Sequence, residues 1–306
     1  MNSGFRLAST LKRMLTQWQL YVLILPAVIY LFLFSYVPMY GVQIAFKDFR
    51  ISKGIWGSEW VGLKHFIQFI RFPNFSNIMM NTVRISLYSF ATFPLSIILA
   101  LMINEVDNQP FKKSVQMITY APYFISVVVV ASMIILFFNR SSGVINNMIE
   151  ALGGERVAFM EKPQYFAAIY VWSDVWQGIG WGTIIYLAAL SGVSAELVEA
   201  ARIDGATRFQ IIRHVNIPAI IPTIVIMLIM RSGSILWVGF DKTYLLQNPL
   251  NLEASQVIST YVYEIGLQSG RHSYSSAIGL FNTLINISVM VAVNAIAKRV
   301  ANISMW

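Results

Sequence analysis

Two ionisable residues sit in stretches of this chain that are otherwise apolar. Asp174 lies within Trp172-Ser173-Asp174-Val175-Trp176-Gln177-Gly178-Ile179-Gly180-Trp181-Gly182, and Arg231 opens a run with Ser232, Ser234, Trp237 and Phe240. A charge inside an apolar segment is costly, and it usually faces a bundle interior or a watery cavity. The residue types point to binding and not to bond breaking. Asp174 has no acidic mate at its depth, His65, His214 and His272 are isolated, and there is no cysteine. No H-E-x-x-H occurs and no paired carboxylates, so neither a catalytic residue nor a metal site is expected, and an intramembrane enzyme lacks its second group. No G-x-x-x-x-G-K-[ST] occurs either, so the chain does not cradle ATP itself. Two compatible roles remain for Asp174 and Arg231: an internal ion pair, or the lining of a path for a polar solute.

Their surroundings suit sugars. Gly178, Gly180 and Gly182 alternate along one segment, where they allow close backbone approach and weaken the helix. Trp176 and Trp181 could stack on pyranose faces, and Gln177 could bond hydroxyls. The plainer account is that the tryptophans fill the space the glycines leave.

The elements that must carry these residues follow from composition. Of 306 residues, 57% are hydrophobic and 12% charged, about half the charge of a soluble domain. This is an integral membrane protein with one membrane domain. Its net charge of +8 fits contact with anionic lipid headgroups and a nearby partner; without a basic stripe bearing exposed aromatics, nucleic acid is not expected. Six apolar segments approach the roughly 20 residues a bilayer requires: about 20–45, 79–104, 115–138, 164–190, 218–240 and 275–297. Pro26, Pro38, Pro94 and Pro122 predict kinks. Residues 1–19 carry Arg6, Lys12 and Arg13, with Leu7, Leu11, Leu15 and Trp18 on one helical face, which predicts an interfacial segment. The run Leu20–Val37 is long for a signal peptide, and no small-x-small site follows it. Counted along helices, Asp174 lies roughly 15 Å into the fourth span and Arg231 about 20 Å into the fifth, from opposite faces. In a core about 30 Å thick they reach similar depth.

Between the fourth and fifth spans lies a polar stretch, ELVEAARIDGATRFQIIRHVNIPAIIP, Glu196–Pro222. Leu197, Ala200 and Ala201 recur at helix spacing beside Glu199 and Arg202. Asp204-Gly205 ends that helix, since glycine readily takes the left-handed cap. Thr207 and Gln210 have capping-box spacing and open a second short helix, Arg208 to about His214. Pro218 then closes the loop at the first position of the next span.

Glu199-Ala200-Ala201, then Asp204-Gly205-Ala206, then Ile217-Pro218 and Pro222 resemble the "EAA" loop of permease subunits of bacterial ABC importers. In that family the loop carries a coupling helix that docks into a groove of a cytoplasmic ATPase. The resemblance implies an all-α integral membrane protein: six transmembrane helices of the type I ABC importer permease fold with a cytoplasmic EAA coupling loop. The chain would divide into an N-terminal segment (1–19), a permease domain (20–297, coupling loop about 191–217) and a tail (298–306). ATPase coupling falls to Glu199, Ala200, Ala201, Asp204, Gly205 and Ala206. Glu199 would meet a basic residue of the ATPase, since a local pair with Arg202 is worth only a few tenths of a kcal/mol.

The same resemblance implies partners: a second permease, related and non-identical, two ATP-binding cassette subunits, an extracytoplasmic solute-binding protein and an oligosaccharide. No cofactor belongs to this chain, because ATP and Mg bind the partner ATPase. The location would be the bacterial cytoplasmic (inner/plasma) membrane, multi-pass, with both termini cytoplasmic. Lys and Arg divide ten to ten between the two sides, so charge adds little to that orientation.

Maltose-type importer permeases hold sugar between spans four and five. With Glu199 and Pro218 as anchors, the sugar-contacting positions fall near Asp174, Gln177, Gly178, Trp181, Arg231, Ile235 and Val238, and Trp176 falls on a matching tryptophan. Ser234 and Trp237 join them on the substrate pathway. Arg231 replaces a small polar residue, which points to an anionic or otherwise unusual saccharide or to the ion pair above. The opening YVLILPAVIYLFLFSYVPMYGVQIAFKDF and the later GFDKTYLLQNP look most like the branch importing oligosaccharides of plant or algal polysaccharides. A non-sugar cargo, such as an amino acid or a phosphonate, is the alternative.

The loops expected outside have their own texture. Trp56, Trp60, Phe66, Phe69, Phe72 and Phe75 read as an aromatic belt, with a short helix at Leu63–Ile70. Asn139, Ser141, Ser142, Gly143, Asn146 and Asn147 read as exposed, turn-rich loop. Residues 139–163 and 241–274 would receive the binding protein.

Overall fold

The structure is a computed structural model in which residues 16–306 are described. The interfacial segment expected over 1–19 lies outside the described residues, apart from its last four. Trp18 begins the first helix, α1 (Trp18–Phe46), which runs through Pro26 and Pro38 with a wide turn at Phe32–Tyr36 and a tight one at Tyr40–Phe46. Among the described residues most of α1 is exposed, and its tight final turns pack chiefly on the last helix. A two-residue ribbon follows, β1 (Lys47–Asp48) antiparallel to β2 (Glu59–Trp60).

Helix α2 (Lys64–Ile70) matches its expected position and buries His65 and Phe69. Phe69 sits among Phe75, Tyr261, Tyr274 and Phe281, with ring centroids 4.9–6.4 Å away. The expected aromatic belt is therefore divided. Trp56 and Trp60 stay exposed, whereas Phe69 is core, because α2 lies against the final helix.

Helix α3 (Phe75–Asn104) has Pro94 near its middle, beside Thr92, whose hydroxyl donates to the Ser89 carbonyl. The third apolar segment is not one rod. It is α4 (Gln109–Phe124) and α5 (Val127–Phe137), bent by 98°. Pro122 tightens Ala121–Phe124, Ile125 goes extended, and Ser126 caps the new helix by accepting from the Val129 amide. A proline turn followed by a capping serine starts a helix whatever the surrounding hydropathy.

Helix α6 (Val144–Ala151) occupies the next loop. Then α7 (Pro163–Ser191) forms the central rod, packed on α3, α4 and the fifth span. A Cβ on Gly180 would collide with the Thr119 carbonyl of α4, and one on Gly182 with Ser96 of α3, while Gly178 faces open space. The alternating glycines thus serve two ends: two admit neighbours and one opens a cavity.

The polar stretch folds as α8 (Ala195–Ile203), a turn at Gly205 with φ +79°, and α9 (Arg208–Ser232). The capping box is present: Thr207 Oγ1 accepts from the Gln210 amide, and Gln210 Oε1 accepts from the Thr207 amide. Pro218 stands in the first turn of the segment Ile217–Ser232, as expected, but no break separates that segment from the helix opened at Thr207. A wide turn at Ile212–Asn216 carries the helix past the proline without a break. At its far end α9 stops at Ser232, short of the expected 240. Residues 233–239 are irregular, and Asn286 Oδ1 and the Tyr170 hydroxyl accept from the amides of Leu236 and Gly239. Helices α10 (Phe240–Leu246) and α11 (Ile258–Tyr263) lead to α12 (His272–Ala301), which buries Asn282, Asn286 and Asn294. Among the described residues, four helices are long and apolar enough to cross a membrane, or six when each bent pair counts as one.

Candidate substrate path and coupling loop

Helices α3, α7 and α9 and the irregular 233–239 segment enclose a polar cavity of about 270 Å³. Asp174, Arg231, Ser234 and Trp237 all line it, with Ser86, Ser89 and Tyr170. A second hollow of about 150 Å³ adjoins it, lined by Thr92, Ser96, Gly178 and again Asp174 and Arg231. Four of the seven residues expected on the path thus share one cavity, and Gly178 extends it.

Asp174 and Arg231 are not an ion pair. Asp174 Oδ1 lies 3.3 Å from Lys242 Nζ, a lysine 4% exposed that also donates to the Tyr170 carbonyl and lies 4.9 Å from that ring's centroid. Arg231 instead donates to the Ser89 carbonyl at 2.6 Å and rests 5.9 Å from the Phe93 ring centroid. The pair between them does not form; Lys242 of α10 meets the Asp174 carboxylate instead.

Gln177 and Trp181 serve the fold. Gln177 Nε2 donates to the Ile125 carbonyl, freed at the α4–α5 break. Trp181 lies flat on Tyr123, centroids 4.5 Å apart and planes 2° apart, with Phe124 edge-on. Trp176 lines a separate apolar groove of about 520 Å³ between α5 and α7. Ile235 and Val238 do reach the polar cavity.

At the other end of α9, Glu199 is exposed and makes no ion pair among the described residues; the local pair with Arg202 is absent. Arg208 is taken by Asp107 at 3.0 Å, and Asn216 donates to Glu105, which ties α9 to the end of α3. Around Glu199, Leu197, Ile203 and Phe209 are 61–86% exposed. That is a short helix with an acid and bare apolar side chains beside a fixed turn.

Residues 61–302 match the family described as "binding-protein-dependent transport system inner membrane component". The chain belongs to this family. It is 42% identical over 288 residues to the polygalacturonan/rhamnogalacturonan transport system permease protein YteP of Bacillus subtilis, covering 94% of this chain and 90% of that one. Protein LplB of the same organism is 41% identical over 297 residues, 97% and 92% of the two chains. A crystal structure of a bacterial alginate ABC transporter, in complex with an alginate pentasaccharide-bound periplasmic protein, superposes with TM-score 0.88 at 38% identity, over 96% of this chain and 99% of that one.

Within this permease the residues missed by sequence reasoning are Ser86, Ser89, Thr92 and Ser96 of α3, and Lys242 with Tyr170. The serines and threonine had a signal: spacings of three, three and four put them on one face of an apolar helix. Lys242 had none, because its neighbours Asp241, Thr243 and Tyr244 read as ordinary loop. The 139–157 loop differs from its expected exposure too. Asn146 is fully buried and pins Asn139 and Val157. Arg156 bridges to Glu150 at 2.6 Å, and this hydrogen bond together with the cation's charge holds the Glu150 carboxyl below its ordinary range.

Proposed function

We propose that this chain and a second, related permease form the transmembrane path of an ATP-driven importer for an oligosaccharide. An extracytoplasmic binding protein delivers the sugar. Two ATP-binding cassette subunits, which carry ATP and Mg, grip the loop around Glu199, Ala200, Ala201, Asp204, Gly205 and Ala206. Residues 20–297 are the permease domain, set in the bacterial cytoplasmic membrane with the coupling loop and both termini in the cytoplasm.

The observation that carries this reading is the polar cavity of α3, α7 and α9, with Asp174, Arg231, Ser234 and Trp237 around it. Serine hydroxyls, an indole face and charged donors are what a sugar needs, and a largely apolar bundle has no other reason to gather them. The relatives support the cargo class, since YteP is named for polygalacturonan and rhamnogalacturonan. Helix α9 runs without interruption from the coupling loop to Arg231, so a pull on the loop is felt at the cavity.

The test is reconstitution of the complete importer in liposomes with its binding protein. Plant or algal oligosaccharides should raise ATP hydrolysis and accumulate inside. Glu199→Lys should leave the complex intact yet reduce uptake per ATP hydrolysed at least about tenfold, as expected when a buried interfacial charge is reversed. Stimulation by amino acids or phosphonates and by no saccharide would refute the cargo.

A further inference from the structure

Resting on the oligosaccharide reading, the geometry points to Arg231 as the residue that makes the cavity select uronate-type, carboxylate-bearing sugars over neutral ones. The only charged side chains lining either polar hollow, among the described residues, are Asp174 and Arg231. Asp174 is already neutralised by Lys242, itself 4% exposed and held by the Tyr170 carbonyl and ring. None of the ion pairs among the described residues includes Arg231. Its guanidinium donates to the Ser89 carbonyl, and the side chain lines both hollows. With Lys242 counted beside Asp174, the charges at the cavity sum to one net positive unit, and Arg231 carries it.

An unbalanced cation at membrane depth is costly unless something anionic visits it. A planar guanidinium matches a carboxylate in a two-pronged hydrogen bond, and such charge-assisted bonds are roughly twice as strong as neutral ones. A second observation marks the same wall as a ligand face. Ser86 is 6% exposed, lines the cavity, and its hydroxyl has no hydrogen-bond partner among the described residues. A sugar hydroxyl beside the carboxylate would satisfy it. Trp237, 69% exposed at the rim, offers a flat face for the ring.

The decisive measurement is uptake of a trigalacturonate against its fully methyl-esterified form, in proteoliposomes of the complete importer. One binding protein is used in every arm, so a change in ratio belongs to the permease. Arg231→Gln should lower the acid-to-ester uptake ratio by about tenfold or more, the loss of one charge-assisted contact. Arg231→Lys, which keeps the charge and loses the fork, should lower it less than about threefold. An unchanged ratio in Arg231→Gln overturns Arg231 as the discriminating group and leaves the transport reading standing. A native complex that moves neither saccharide with ATP overturns both.

Discussion

Lys242 shows how much one buried charge constrains its neighbours. Among the described residues its ammonium has the Asp174 carboxylate as its one acidic partner, at 3.3 Å. Removing Asp174 would strand a cation that is almost wholly out of water. Because the Asp174 side chain is itself 56% exposed, solvent softens the loss, and Asp174→Asn should cost about 1–2 kcal/mol, less than a fully buried pair. Lowered apparent melting of the purified complex would show it, and the double variant with Lys242→Met should recover most of the loss. Equal melting of native and Asp174→Asn proteins would mean the pair is idle. At this scale the sequence pointed to Asp174 and Arg231 from their cost in an apolar run, and both line the cavity. Of the two roles it left open, the pair between them is not formed, since Lys242 meets Asp174 and the Ser89 carbonyl takes Arg231. Gln177 and Trp181 looked like sugar ligands by type, yet their donor and ring go to the broken backbone at Ile125 and to Tyr123.

Among the elements, the polar loop between the fourth and fifth spans was readable because its signals are local. The Gly205 turn and the Thr207–Gln210 box each involve residues no more than three apart. The α4–α5 break was readable only in part. Pro122 announced a kink, but a 98° turn depends on Gln177 of α7 receiving the exposed carbonyl. The 139–157 loop carries a pH dependence of its own. The Arg156 hydrogen bond, with the cation's charge, holds the Glu150 carboxyl below its ordinary range. A carboxylate with a depressed folded pKa contributes stability that is present above the unfolded value and is lost as pH falls through the folded one. Amide exchange in residues 139–157 should therefore be flat from neutral pH to about 5 once intrinsic rates are divided out, and should rise below the usual carboxylate range. Glu150→Gln should abolish that rise. A rise of the same size in the variant would place the titration elsewhere.

As a whole molecule, the chain is unfinished alone. Along α1 almost every side chain is exposed, and the apolar groove of α5 and α7 adds further bare surface. Lipid or a second permease must cover both, since apolar area of that extent is not left in water. Topology can be tested directly, because the native chain has no cysteine. Ile203→Cys, at the coupling loop, and Leu152→Cys, beyond α6, replace side chains 86% and 89% exposed. A membrane-impermeant maleimide added outside intact cells stripped of their wall or outer membrane should label Leu152→Cys and spare Ile203→Cys until the membrane is permeabilised. The reverse pattern would turn the molecule over and remove the coupling loop from any cytoplasmic ATPase.

Helix content, the apolar segments, the Asp-Gly turn and the presence of two costly charges were all determined by the sequence itself. Hydropathy and capping act over a few residues, so they are legible without a fold. Which groups meet was decided only in three dimensions. Lys242 reaches Asp174 across 68 positions and Arg231 reaches Ser89 across 142. Contacts between such distant residues are chosen by how helices cross and where a span breaks. The net charge of the cavity follows from those contacts.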